Sequence, residues 1–137
     1  GVEALSRGAA LVEAVESNPV SAAVCEQNFA WLANLPEIGK FRVYPKTAFE
    51  FLNHTASKPY EIIFMDPPYE VANSEIEKIL KKILTLKLLN KFGVVAIERD
   101  GKAKSFTWPE GLMESKVRSY GAGSIHYGVV SNAQISD

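Results

Sequence analysis

Residues 60–69 read Tyr60-Glu61-Ile62-Ile63-Phe64-Met65-Asp66-Pro67-Pro68-Tyr69. The continuous apolar run at 62–65 predicts a strand over Tyr60–Met65, of the kind buried on both faces of a parallel sheet. An acid, two prolines and an aromatic end it, and in open α/β sheets ligands sit outside the carboxyl ends of the strands. Each proline fixes φ and removes a backbone donor, so the turn is stiff. Pro67 also biases Asp66 towards extended geometry. The product is a rigid ledge carrying a carboxylate, free carbonyl oxygens and a flat π-face. That set suits a planar group bearing an amine, and points to N-methylation of a nucleobase.

Outward from this strand, helical and extended patterns alternate. Upstream, Thr47–Asn53 reads as a short helix with Phe49 and Leu52 facing inward, and Phe41–Tyr44 as a strand. Pro36 and Gly39 break an earlier helix that starts at Pro19, with Ser17 or Asn18 as its N-cap and Asn18 the better choice. Val20, Val24, Trp31, Leu32 and Leu35 follow at roughly helical spacing in it. Leu11–Val15 reads as a strand closing on Glu16, and 1–7 as the end of a helix stopped by Gly8. Downstream, Ser74 and Glu77 form a capping box for a helix with the stripe Ile76, Ile79, Leu80, Ile83 and Leu84. Lys78, Lys81 and Lys82 lie off that stripe, on a solvated face. Gly93–Glu98 is a further strand. Segments 114–119 and 124–130 pair as an antiparallel ending, and 132–137 is a frayed tail.

This alternation predicts an α/β fold with a mostly parallel sheet. The chain opens inside a helix with no strand or cap before it, so a first strand and turn are expected to be missing from it. Its 137 residues fit one domain. With 47% hydrophobic and 23% charged residues, disorder is excluded. The single cysteine, Cys25, precludes an internal disulfide, fits a reducing compartment and reads as buried filler. One cysteine and two scattered histidines give no metal-ligand spacing. No signal peptide and no membrane-spanning apolar stretch is present in the sequence. A net charge of −1 gives no global attraction for nucleic acid, so any such surface must be a local patch or lie outside the chain.

Together these features resemble the Rossmann-like, S-adenosylmethionine-dependent methyltransferases that carry an Asp-Pro-Pro-Tyr motif. Closer still, the chain is similar to the RsmD family, which methylates the exocyclic N2 of a guanine in bacterial 16S ribosomal RNA. Gly1-Val2-Glu3-Ala4-Leu5-Ser6-Arg7-Gly8-Ala9 resembles the stretch that follows that family's glycine-rich cofactor loop. Leu11–Glu16 matches its second strand with a terminal acid, and Asn28-Phe29-Ala30-Trp31-Leu32 its next helix. Segment 48–52 resembles its short helix before the catalytic strand, and Tyr120-Gly121 with the strand ending at Val130 its final hairpin.

The resemblance implies S-adenosylmethionine as cofactor, held by Glu16, Ser17, Thr47, Ala48 and Asp66. Glu16 would take the ribose hydroxyls, as an acid after the second strand does in dinucleotide folds. Lys46-Thr47 stands where the family usually has a polar or acidic residue beside the adenine. The glycine-rich loop is missing, so this length of chain is expected not to methylate by itself. Catalysis falls to Asp66, Pro67, Pro68 and Tyr69. Asp66 and the Pro67 carbonyl would accept from the target amine, Asp66 would take its proton, and Tyr69 would stack on a flipped-out base. The implied partner is 16S ribosomal RNA or the small-subunit particle, with a monomeric, cytoplasmic enzyme and no membrane. Arg99, Lys102 and Lys104 form the expected RNA-contacting cluster, and Arg7 suits a helix-dipole contact instead. The tetrad itself does not separate guanine N2 from adenine N6. An inactive Rossmann-like binding protein is the other alternative.

Overall fold

The computed structural model describes residues 4, 7–36, 38–54, 59–68, 70–100 and 106–131. They fall into two compact units, residues 1–55 and 56–137.

In the first unit, β1 (Leu11–Val15) and β2 (Lys40–Tyr44) pair in parallel, from Leu11 opposite Lys40 to Val15 opposite Tyr44. A parallel pair needs a crossover, and α1 (Pro19–Ala30) supplies it. Asn18 caps α1 as expected, its Oδ1 accepting from the Val20 and Ser21 amides at 2.9 and 3.1 Å. Gly8 takes φ +106°, the left-handed geometry of a helix stop, and the Ala9 amide donates to the Ala4 carbonyl. Most of the helix expected at 1–7, like the tail at 132–137, lies outside the described residues.

The inward face of α1 differs from the expected stripe. Ala22 and Phe29 are buried, and Phe29 stacks on Phe41 of β2 with centroids 4.9 Å apart. Val20 and Val24 lie two residues either side of Ala22, about half a turn away, and face solvent. Helix α1 ends at Ala30, so Trp31 (85% exposed) and Leu35 fall in the turns beyond it. Helix α2 (Ala48–His54) buries Leu52, with Phe49 half-buried. Cys25 is half-buried, and burial raises its thiol pKa, as befits filler rather than a nucleophile.

The second unit is a four-stranded sheet of order β3-β4-β6-β5, comprising β3 (Tyr60–Met65), β4 (Leu89–Asp100), β5 (Leu112–Tyr120) and β6 (Gly123–Val130). Strands β3 and β4 are parallel, joined by α3 (Asn73–Thr85), while β6 runs antiparallel to both β4 and β5. The expected hairpin is therefore present, and its second arm inserts beside β4. Ile76, Leu80 and Ile83 of α3 are buried, as are Val95 and Ile97 of β4. The stripe expected for α3 holds, with Ile79 and Leu84 half-buried.

Two expectations change here. The capping box at Ser74 is not formed: Ala72 is the N-cap and no side chain caps the helix. The neighbouring Asn73 is instead held by Arg99, whose Nη2 donates to its Oδ1 at 3.0 Å, so a tertiary contact fixes where α3 begins. Strand β3 is also not buried on both faces. It is an edge of this sheet, and Ile62 (71%) and Phe64 (57%) on one face are exposed. Among the described residues no helix is long and apolar enough to cross a membrane.

Helix α3 ends in a Schellman turn: the Leu88 amide donates to the Ile83 carbonyl and the Lys87 amide to Leu84. Lys87 carries φ +54° there, a conformation that strains a residue with a Cβ. Lys87→Gly should therefore stabilise the protein by about 0.5–1 kcal/mol after the entropy cost of glycine. Chemical denaturation checks it; a loss of stability would mean that the Lys87 side chain contributes a contact of its own.

Candidate active site

The carboxyl ends of β3 and β4 lie side by side, because Met65 pairs with Ile97. The next residues, Asp66 and Glu98, therefore stand side by side on one face of the sheet, where the Glu98 carboxyl acts on that of Asp66. Strand β6 then sets Ile125 against Glu98 and Gly123 against Tyr120. Across that side-chain-free position the Tyr120 hydroxyl reaches Glu98 and donates to its Oε1. Two carboxyls and a phenol thus converge at one strand end.

Their electrostatics follow from that crowding. Partial burial raises the Asp66 pKa above the ordinary aspartate value, and the Glu98 charge and hydrogen bond raise it further. The Tyr120 phenol is pushed up to about 12, first by its hydrogen bond to Glu98 and then by burial and the nearby charges of Glu98 and Asp66. It therefore remains a donor throughout the neutral range.

The proline turn keeps fewer free carbonyls than the sequence implies. The Pro68 carbonyl accepts from the Val71 amide at 3.0 Å and closes the turn. The Pro67 carbonyl has no hydrogen-bond partner among the described residues, so one acceptor stays available beside Asp66. Tyr69 lies outside the described residues, as do Lys102 and Lys104.

Arg99 does not serve the RNA-contacting role expected of it. It is only 6% exposed, and its Nη2 donates to the Val71 carbonyl at 3.2 Å as well as to Asn73. Its Nε and Nη1 are buried without partners among the described residues. Alternation along β4 turns Arg99 to the face opposite Glu98, where it ties the segment after the proline turn to the sheet. Its reach is inward.

In the first unit, the parallel pairing sets the ends of β1 and β2 together. The Glu16 amide donates to the Tyr44 carbonyl at 3.0 Å, and Glu16 Oε1 accepts from the Asn18 amide at 3.0 Å. This fixes the Glu16 carboxylate while its other oxygen has no partner among the described residues, a state that fits a ribose diol. Ser17 is exposed beside it. Thr47 and Glu50 form a reciprocal capping box for α2, with bonds of 3.1 and 3.2 Å. The Thr47 amide is thereby occupied, and only its hydroxyl proton is left to meet an adenine. Ala48 is the first residue of α2 and half-buried.

Asp66, Pro67 and Pro68 thus gather in one unit, and Glu16, Ser17, Thr47 and Ala48 in the other. The sequence reading missed Glu98 and Tyr120 as site residues. Glu98 was visible as an acid ending the strand after the motif, since parallel strands of a βαβ unit end on the same side. Tyr120 had no local signal, because its approach depends on β6 entering between β4 and β5.

The model of the family described as conserved hypothetical protein 95 matches residues 1–129. The chain belongs to this family. Membership agrees with the resemblance to RsmD, as does similarity to the ribosomal RNA small subunit methyltransferase D of Buchnera aphidicola, 28% identical over 102 residues. That match covers 74% of this chain and 50% of the Buchnera protein, so the chain spans about half the length of that relative. A proposed methylase from Haemophilus influenzae has the same fold, with a TM-score of 0.76 and 24% identity over 94% of this chain and 78% of its own. The proposed methyltransferase yhhF of Escherichia coli superposes with a TM-score of 0.80 and 23% identity, over 96% of this chain and 71% of its own. The family's α/β methyltransferase fold is therefore the fold of this chain.

Proposed function

We propose that the protein transfers a methyl group from S-adenosylmethionine to the exocyclic N2 amine of a guanine in bacterial 16S ribosomal RNA. The observation that carries this reading is the pair of acceptors on one rigid turn, the Asp66 carboxylate and the unengaged Pro67 carbonyl. A guanine N2 amine is a poor nucleophile because its lone pair is delocalised into the ring. Two acceptors aimed at its protons turn that lone pair out of the ring plane and towards an electrophile. Asp66 then takes the proton, and a carboxyl with a raised pKa suits that task.

S-adenosylmethionine, when bound, supplies an electrophilic methyl sulfonium. Glu16 would hold its ribose through a carboxylate oxygen, with Ser17, Thr47 and Ala48 around the adenosine; Asp66 is the fifth residue that the resemblance assigns to the cofactor. The choice of ribosomal RNA rests on the resemblance to RsmD and on the Buchnera relative's name. The enzyme would act in the cytoplasm, as a monomer, on 16S RNA or the small-subunit particle.

Methyl transfer by the full-length protein to undermodified 16S RNA tests this reading, with Tyr69 as the probe. Tyr69→Ala should weaken substrate engagement by about 1–3 kcal/mol, the usual worth of a base stacked on an aromatic ring. Tyr69→Phe should keep most activity, since stacking needs only the ring. Equal loss in both variants would remove stacking from the account.

A further inference from the structure

We propose that Glu98 is a positioning residue for Asp66: a carboxylate anchored by the Tyr120 hydroxyl that receives a hydrogen bond from Asp66 once Asp66 has taken the amine's proton. The inference rests on the reading of Asp66 as proton acceptor and adds two residues to it.

The geometry carries the argument. Met65 pairs with Ile97, which brings the Asp66 and Glu98 carboxyls together at adjacent strand ends. Two carboxylates in that position repel, so an uncommitted pair would turn apart into solvent. Glu98 is not uncommitted, because Tyr120 donates to it from β5 across Gly123 of β6. The Tyr120 donor holds Glu98 in place as an acceptor, which leaves Asp66 as the member of the pair that gains a proton. Pair and anchor come from three different strands, so the arrangement is built by the sheet and not by one loop.

The remaining groups on this face follow from the register. Glu98, Ile125 and Arg118 form one cross-strand row, and Ala96, Tyr127 and Lys116 the row before it. Lys116 sits over the Tyr127 ring, its Nζ 5.6 Å from the centroid. Asp100, Gly123 and Tyr120 make the row beyond. Strand β6 brings no titratable group next to Glu98 on this face, and Arg99 turns to the other side. Asp66 is the carboxyl beside Glu98 on the neighbouring strand, Asp100 lies one row on along β4 itself, and Tyr120 is the donor to Glu98.

In the transfer step, the amine nitrogen forms a bond to the methyl carbon and the carbon–sulfur pair goes to sulfur, leaving a neutral thioether. The nitrogen's extra proton goes to the Asp66 carboxylate. Without a partner, Asp66 would be an ordinary weak base with little affinity for it. With Glu98 held beside it, the protonated Asp66 carboxyl gains an acceptor, and Asp66 is the stronger base for that reason.

The test follows the Asp66 carboxyl carbon by NMR titration in the full-length protein, alongside the pH dependence of kcat on undermodified 16S RNA. Glu98→Gln keeps an acceptor for Tyr120 and removes the charge. It should lower the Asp66 titration and the acid limb of kcat by about one pH unit, and cut the plateau by about three- to tenfold because the base is weaker. KM for RNA and the cofactor Kd should stay within twofold. Tyr120→Phe should lower the same titration by a smaller amount, because the Glu98 carboxyl is no longer held beside Asp66. Downward shifts of unequal size in the two variants, with KM and cofactor Kd unmoved, are not produced by a merely structural role. An Asp66 titration unmoved by both substitutions, with Asp66→Ala inactive, would overturn the role of Glu98 alone. Full turnover in Asp66→Ala would overturn the underlying reading as well. The carbon titration needs no RNA and reads the pair whatever the substrate.

Discussion

Asp66→Ala in the full-length protein should lower methyl transfer by about a thousandfold, within the range typical of a lost general base, while the cofactor Kd stays within a few-fold. The substitution removes both the acceptor that aligns the amine and the group that takes its proton. The Pro67 carbonyl would remain, but it accepts without being able to carry a proton away. Asp66→Asn separates the two roles. Its amide oxygen can still accept a hydrogen bond, so substrate should bind near normally while turnover stays low. Single-turnover transfer with radiolabelled cofactor measures both variants. Wild-type turnover in Asp66→Ala would place the chemistry elsewhere.

Loss of the Glu16 charge should be felt in cofactor binding and not in the chemical step. A hydrogen bond to a charged acceptor is worth about 1.5–3 kcal/mol, so Glu16→Gln should raise the S-adenosylmethionine Kd by about 10- to 100-fold. Glutamine is the informative substitution, because Glu16 Oε1 also accepts from the Asn18 amide at the start of α1. An amide oxygen keeps that bond and the local turn. Glu16→Ala should give a similar rise in Kd with an added small drop in thermal stability. Calorimetric titration showing unchanged affinity in Glu16→Gln would remove Glu16 from the cofactor site.

What the sequence made legible was local. The run ending at Met65 located β3 to the residue, and Asn18-Pro19 located the start of α1, because both signals reside in a few neighbouring side chains. The stripe of α3 likewise announced its buried face. Partner-dependent features did not show. The insertion of β6 beside β4 depends on pairing between residues about 30 apart, and from it follow the Tyr120 contact and the anchored Glu98. Arg99 looks like a surface cation in sequence, and only the segment at 71–73 draws it inward. The face of α1 was misread for the same reason. Val20 and Val24 are the more apolar choice by type, but Phe41 on β2 selects Phe29.

The central claim is that the Asp66 turn activates the exocyclic amine of a guanine. Its most direct test is to incubate the full-length protein with labelled S-adenosylmethionine and undermodified small-subunit RNA, digest the RNA to nucleosides and identify the labelled product by mass spectrometry. The account predicts N2-methylguanosine as the single labelled nucleoside, absent when Asp66 is alanine. Label in N6-methyladenosine, or cofactor binding with no transfer to any nucleoside, would contradict it.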